Sequence, residues 1–291
     1  MAKTKGVDRR RRHKRGTRQW ALGHFWTAVT WILAFILFFP VLWMVITAFK
    51  HESNAYTDPP TLNFRPTLTE FSQVINSTSF TGGIPKALED SLFVTVATLI
   101  LVLAMGIPAA YALAVRPVKR WRDVLFFFLA TKMLPFVAAI VPIYVIATHL
   151  GLLNNDWVLV ILYTGFNLPL AVWMVRSFLL EIPRELLESA RIDGAGVFVE
   201  LTRVILPILL PGIAATALIC VIFTWNEFFF ALFLTNTNGT APVFLSGFQL
   251  NEGQYWAELS AAATLCCLPV IAAGWIAQKQ LVRGLSLGAL K

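Results

Sequence analysis

Charge is what this chain has least of. Only 14% of its 291 residues are charged, and acids are scarcer than bases, 16 against 24. A soluble domain is roughly a quarter charged and about half apolar. With 57% hydrophobic residues, this composition excludes an ordinary water-soluble globule. Histidine is confined to His13, His24, His51 and His149, scattered along the chain. No H-E-x-x-H or C-x-x-C occurs, so the spacings used for zinc hydrolysis and thiol exchange are missing. The three cysteines, Cys220, Cys266 and Cys267, sit in apolar stretches. They read as small packing residues, not as a disulfide framework or metal site. No G-x-x-x-x-G-K-[ST] is present either. That loop cradles phosphates on its backbone N–H groups. No residue is therefore nominated as catalytic, metal-binding or cofactor-binding, and the chain is not expected to be an enzyme.

What the chain has in abundance is long apolar runs. A hydrocarbon layer about 30 Å thick takes roughly 20 apolar residues per helical crossing. Six stretches qualify: Phe25–Phe49, Ser91–Val115, Val124–Ala147, Trp157–Leu180, Val204–Leu234 and Leu259–Leu281. The expected fold class is all-α integral membrane, with six transmembrane helices. Residues 1–24 form a basic tail, expected to be irregular. The apolar run after it is too long for a cleaved signal peptide. Residues 25–282 make one membrane domain and residues 283–291 a short tail. Segments 50–86 and 235–258 are polar, turn-rich loops. Thr67 followed by Glu70 has the spacing of a capping box.

Basic residues set the orientation. With six crossings, the N-terminal tail, the turn 116–123, the segment 176–203 and the C-terminal end fall on one side. They hold twenty Lys and Arg against three, Lys50, Arg65 and Lys86, on the other. Both termini are expected in the cytoplasm. The same asymmetry accounts for the net charge of +8 without nucleic acid.

The longest charged segment in the last two-thirds of the chain is Glu181–Gly212, between the fourth and fifth crossings. Pro183 suits a first helical turn. Leu186, Leu187 and Ala190 gather on one face of a short amphipathic helix, and Gly194 can take the left-handed position that ends it. Pattern alone leaves a solvated loop helix as an equal reading. Inside the crossings, polar groups are costly and are functional candidates by default. Lys132, Asn167, Asn226 and Glu227 are the substrate-pathway candidates. Snorkelling or an ion pair is the alternative for Lys132, backbone satisfaction beside Pro169 for Asn167, and gate anchoring for Asn226 and Glu227.

The run E-S-A-R-I-D-G-A-G from Glu188, followed by Ile205-Leu206-Pro207, resembles the E-A-A-x-x-x-G loop and I-x-L-P of ATP-binding-cassette (ABC) importer permeases. Ser189 stands where the motif usually has alanine. Ile182–Leu186, Pro211-Gly212, Asn226–Phe228 and Gly284–Ala289 look like the carbohydrate branch, similar to the second permease of maltose-type systems. The resemblance covers nearly the whole chain. It implies a coupling helix in the loop 181–207 that docks on an ATPase through Glu185, Glu188, Ser189, Ala190, Asp193 and Gly194. It also implies a second ATPase contact at Gly284, Leu285, Ser286 and Gly288. In the outer loop, Asn251 and Gln254 become candidates for touching a solute-binding protein. The implied partners are a second permease in a heterodimer, two ATPase subunits carrying ATP and Mg, that extracytoplasmic binding protein and membrane lipid. The implied location is the bacterial inner membrane, and the implied cargo a sugar or polyol. Thr131–Pro135, Val141–Tyr144 and Gln278–Gly284 look like the polyol subgroup. A secondary transporter or channel working without an ATPase is the alternative, but it would call for an inverted repeat and coupling carboxylates. A membrane anchor has no need of Lys132.

Overall fold

The computed structural model describes residues 5–76, 83–116, 118–133, 136–235, 239–249 and 255–288. Every regular element among them is helical: α1 (Lys5–Ala48), α2 (Glu52–Ala55), α3 (Thr69–Asn76), α4 (Gly83–Val115), α5 (Trp121–Thr131), α6 (Phe136–His149), α7 (Asp156–Leu179), α8 (Arg184–Ile192), α9 (Val197–Val199), α10 (Leu206–Trp225), α11 (Phe229–Leu234), α12 (Ala241–Ser246) and α13 (Trp256–Gly288). A wide helical turn, Glu200–Ile205, joins α9 to α10.

Among the described residues, five helices are long and apolar enough to cross a bilayer: Gly23–Ala48, Gly83–Val115, Asp156–Leu179, Val197–Trp225 and Trp256–Lys279. Their outward faces carry bulky apolar side chains, with Leu37 78% and Ile276 81% exposed. Water would penalise that surface, whereas lipid tails are as apolar as leucine. The centre of the bundle is the pair α4 and α7, with α10 laid against both and α13 against α10 and α1. Small residues allow the approach. A side chain at Gly106 would meet Ala171 and Leu168, and one at Gly212 would come within 2.5 Å of the Phe178 ring.

Three larger apolar clusters stack along the bundle. One gathers Tyr111, Leu125, Val175, Leu187, Ile205 and Leu209 at the α8 end. A second holds Val94, Ile140, Leu159, Tyr163, Phe230 and Leu234. The third, at the far end, packs Ala48, Val74, Ile84, Trp225, Phe244 and Ala261. There the loop is tied down by Glu52. Its Oε1 accepts from Trp256 N at 2.6 Å, and its Oε2 accepts from Ala257 N at 2.9 Å and Glu258 N at 3.3 Å. A carboxylate on the free N–H groups that begin α13 satisfies orphan donors and opposes the helix dipole.

Four sequence expectations change. The basic segment is helical from Lys5, continuous with the first apolar stretch. The capping box at Thr67 is half formed. Thr67 Oγ1 accepts from Thr69 N at 3.1 Å, but the buried Glu70 turns away and its Oε1 accepts from Glu52 N at 3.3 Å. The stretch Val124–Ala147 is not one helix, because α5 ends at Thr131 and α6 begins at Phe136, just after Pro135. A proline has no backbone N–H to give to a continuous helix. The stretch Val204–Leu234 also breaks, at Asn226–Phe228. No proline stands there. The Glu227 side chain takes the N–H groups of Phe230 at 3.0 Å and Ala231 at 3.4 Å, and so offers the backbone an alternative to a continuous helix.

Candidate functional site

The four polar groups nominated inside the apolar stretches come together. Lys132, Asn167, Asn226 and Glu227 line one cavity of about 430 Å³ with Tyr163, Thr224 and a run of phenylalanines. Two helix breaks meet there. Lys132 lies at the end of α5, and Asn226–Phe228 separate α10 from α11. Non-helical backbone at membrane depth is tolerated where it lines a cavity or is buried in protein.

The wall groups are held by specific contacts. The Lys132 ammonium sits 5.3 Å from the centre of the Phe223 ring, a cation–π approach. Asn167 Nδ2 donates to the Tyr163 carbonyl at 2.9 Å and to Thr224 Oγ1 at 3.1 Å, linking α7 to α10. Its buried Oδ1 has no hydrogen-bond partner among the described residues, so an acceptor stands open in the wall. Asn226 Nδ2 donates back to the Ile222 carbonyl at 2.8 Å. The Tyr163 hydroxyl donates to Glu227 Oε2. Fixed donors and acceptors among aromatic faces suit a polar, hydroxyl-rich ligand. Tyr163 and Thr224 were missed in the sequence. The usable signal was spacing, since Tyr163 precedes Asn167 by one helical turn on the same face.

The second candidate region is the loop around α8. Leu187 is buried in the α8-end cluster with Ile182. Leu186 is exposed, and Ile192 is 86% exposed, so the apolar face is split between the bundle and the outside. Glu185, Glu188, Ser189 and Asp193 are exposed and Ala190 is half-buried. Ser189 Oγ donates to the Leu186 carbonyl at 3.1 Å. Pro183 precedes the first helical residue. At the other end Gly194 has φ +80°. Ala195 N reaches Ala190 O at 2.9 Å and Gly194 N reaches Arg191 O at 3.1 Å. These are the two bonds of a Schellman ending, which needs a left-handed residue at Gly194.

Arg191 locks the loop onto the bundle. Its Nε and Nη2 donate to the two oxygens of Glu200 at 3.1 and 3.0 Å. Glu200 is 1% exposed. That hydrogen bonding raises the affinity of the guanidinium for its proton above the ordinary arginine value. A fork on a carboxylate fixes direction as well as distance. This pair too was not read from the sequence.

Gly284, Leu285, Ser286 and Gly288 lie on the last turns of α13. Asn251 and Gln254 lie outside the described residues.

Residues 105–287 match the family described as "Binding-protein-dependent transport system inner membrane component". That span includes the cavity and the α8 loop. The chain is 39% identical to the probable ABC transporter permease protein y4oR of Sinorhizobium fredii, over 91% of this chain and 95% of that one. It is 32% identical to the diacetylchitobiose uptake system permease protein DasC of Streptomyces coelicolor, over 92% and 98%. It is 30% identical to the trehalose/maltose transport system permease protein MalG of Thermococcus litoralis, over 89% and 94%. In three dimensions it shares the fold of a chain from a bacterial ABC transporter involved in import of the acidic polysaccharide alginate. There the TM-score is 0.68 at 21% identity, covering 90% of this chain and 96% of that one.

Proposed function

Because the chain belongs to the binding-protein-dependent transport system inner membrane component family, we propose that it is the permease subunit of a bacterial ABC importer for a carbohydrate. It forms half of the translocation pathway and passes on the work of ATPase subunits carried on other chains. ATP and Mg bind those partners, and this chain holds no cofactor of its own.

The observation that carries the coupling role is the construction of the α8 loop. It is anchored from beneath by Leu187 and Ile182 and pinned sideways by Arg191 on Glu200. It still presents Leu186, Ile192 and the carboxylates Glu185 and Glu188 outward. Neither carboxylate has an ion pair among the described residues. A rigid knob with an apolar tip and free acids suits a cleft lined by apolar and basic groups. In this reading Glu185, Glu188, Ser189, Ala190, Asp193 and Gly194 meet the ATPase, and Gly284, Leu285, Ser286 and Gly288 make a second contact with it.

The remaining assignments follow. The broken pair α5 and α6 counts as one crossing, which makes six, and the basic residues put both termini in the cytoplasm. Residues 1–24 are the basic tail, 25–282 the permease domain and 283–291 the closing tail. Loops 50–86 and 235–258 face outward, where Asn251 and Gln254 are offered to a solute-binding protein. A second, homologous permease completes a heterodimer. Lys132, Asn167, Asn226 and Glu227 line the pathway. The relatives' names mention trehalose, maltose and diacetylchitobiose, which supports a glycoside cargo; a polyol is the narrower alternative.

Affinity purification in mild detergent tests the assembly: an ATPase and a second permease are expected to accompany the chain. Purified chain that takes up solute with no ATPase would favour the secondary-transporter reading instead. Gly194→Arg is expected to abolish uptake while the complex still assembles, because a side chain there is strained at φ +80° and would carry a new charge into the contact. Wild-type uptake by that variant would sink the coupling role. A ligand screen on the cognate binding protein identifies the cargo.

A further inference from the structure

The break between α10 and α11 is gripped from α7 at two points. Asn167 holds Thr224 just before it, and Tyr163 holds Glu227 within it. Tyr163 and Asn167 are one helical turn apart, so a single face of α7 makes both contacts. Trp225, between them, donates its Nε1 to the Cys266 carbonyl of α13 at 3.1 Å. The start of the break is therefore fixed from two sides, while the Asn226 side chain is exposed.

Nothing covalent requires this break. Asn226, Glu227 and Phe228 include neither proline nor glycine. A continuous helix from α10 into α11 would bond Phe230 N to the Asn226 carbonyl and Ala231 N to the Glu227 carbonyl, each four residues back. Those two N–H groups are the ones that the Glu227 carboxylate accepts now. The side chain and the helix thus compete for the same donors, which is the arrangement of a two-state element. The Tyr163 hydroxyl comes from another helix and adds a third donor to the carboxylate. Tyr163 is 2% exposed, so this bond is shielded from water. It weights the competition towards the broken form.

We infer that Tyr163 is a positioning residue of the transport cycle: its bond to Glu227 latches the segment 226–231 in a broken form, and opening of that bond lets the segment become continuous helix and reshapes the cavity. The inference rests on the importer reading given above and adds a regulator to the same cavity. It assigns Asn167 and Thr224 to the fixed side of the joint and Glu227 to the moving side.

The test uses the assembled transporter with its ATPase and binding protein in liposomes. Tyr163→Phe removes one hydroxyl and keeps the ring. A hydrogen bond to a charged acceptor is strong enough to shift a two-state balance on the order of tenfold. The ratio of ATP hydrolysis without binding protein to that with it is expected to rise by about that factor, with a fall in solute carried per ATP. Glu227→Gln should move both readouts the same way, and the double variant should go no further than the stronger single one. In a chain stripped of native cysteines, a cysteine introduced as Asn226→Cys should change its rate of maleimide labelling when Tyr163→Phe is added. Wild-type ratios in Tyr163→Phe overturn the latch. So does a proportional loss of hydrolysis and uptake with the ratio unchanged, which would make Tyr163 a packing residue. Failure of Tyr163→Phe to assemble also overturns it, since the bond would then serve folding. Absence of ATP-driven uptake by the wild-type complex is a separate failure, that of the importer reading itself.

Discussion

At the scale of single residues, the site rests on a few pairs that join distant parts of the chain. Arg191 and Glu200 are the clearest. Glu200 is almost fully buried, Arg191 is 41% exposed, and the two hold the α8 loop closed. Removing the arginine leaves a buried carboxylate without its fork. Arg191→Met is expected to destabilise the loop by about 1–3 kcal/mol, less than for a fully buried pair because one partner is wet. Thermal unfolding of the detergent-solubilised complex measures this. Adding Glu200→Gln should recover part of the loss, and no recovery would mean that the arginine acts through packing alone. Sequence reading reached the cavity at this scale because a lysine, a glutamate and two asparagines inside apolar runs are conspicuous. It did not reach Tyr163, whose amphipathic ring reads equally well as a membrane-interface residue, nor the Arg191–Glu200 pair. Ion pairing across a loop depends on how that loop folds back, and composition does not record it.

At the scale of elements, the short helix α8 and its ending were legible because their signals are local. Proline before the first turn, paired leucines and Asp193-Gly194 need no knowledge of the rest of the bundle. The break between α5 and α6 has a local signal too, in Pro135, although the length of the apolar run argues for one crossing. The break after Trp225 had none, since a side chain makes it and no backbone-restricting residue is present. Close packing between elements is equally hidden. Gly212 of α10 looks like an ordinary glycine after Pro211, yet its Cα lies against Phe178 of α7, and a methyl group there would sit 2.5 Å from the ring. Gly212→Ala is expected to force α7 and α10 apart or turn the ring, at about 1–3 kcal/mol. The check is the melting temperature of the complex beside that of Gly274→Ala, where an added methyl group would meet no packing neighbour among the described residues within 4 Å and little change is expected. Phe178→Leu should relieve the Gly212→Ala defect.

At the scale of the whole molecule, fold class followed from composition and run length, whereas orientation followed from charge alone. Its prediction can be checked in intact cells on a chain stripped of native cysteines. A membrane-impermeant maleimide should label His51→Cys from outside and should label Asp193→Cys only after the membrane is opened. The reverse pattern would invert the topology and detach α8 from any cytoplasmic ATPase.

The Glu52 carboxylate seated on the start of α13 has a mechanical meaning at this scale. α13 runs unbroken for 33 residues, a rod about 50 Å long. Its near end is fastened to the loop that follows α1, and its far end carries Gly284–Gly288. Such a rod stretches very little, so a pull on the loop after α1 is passed along α13 towards the tail at its other end. Two surfaces a membrane apart would then share one stroke, and a message could pass along α13 without any change in the cavity.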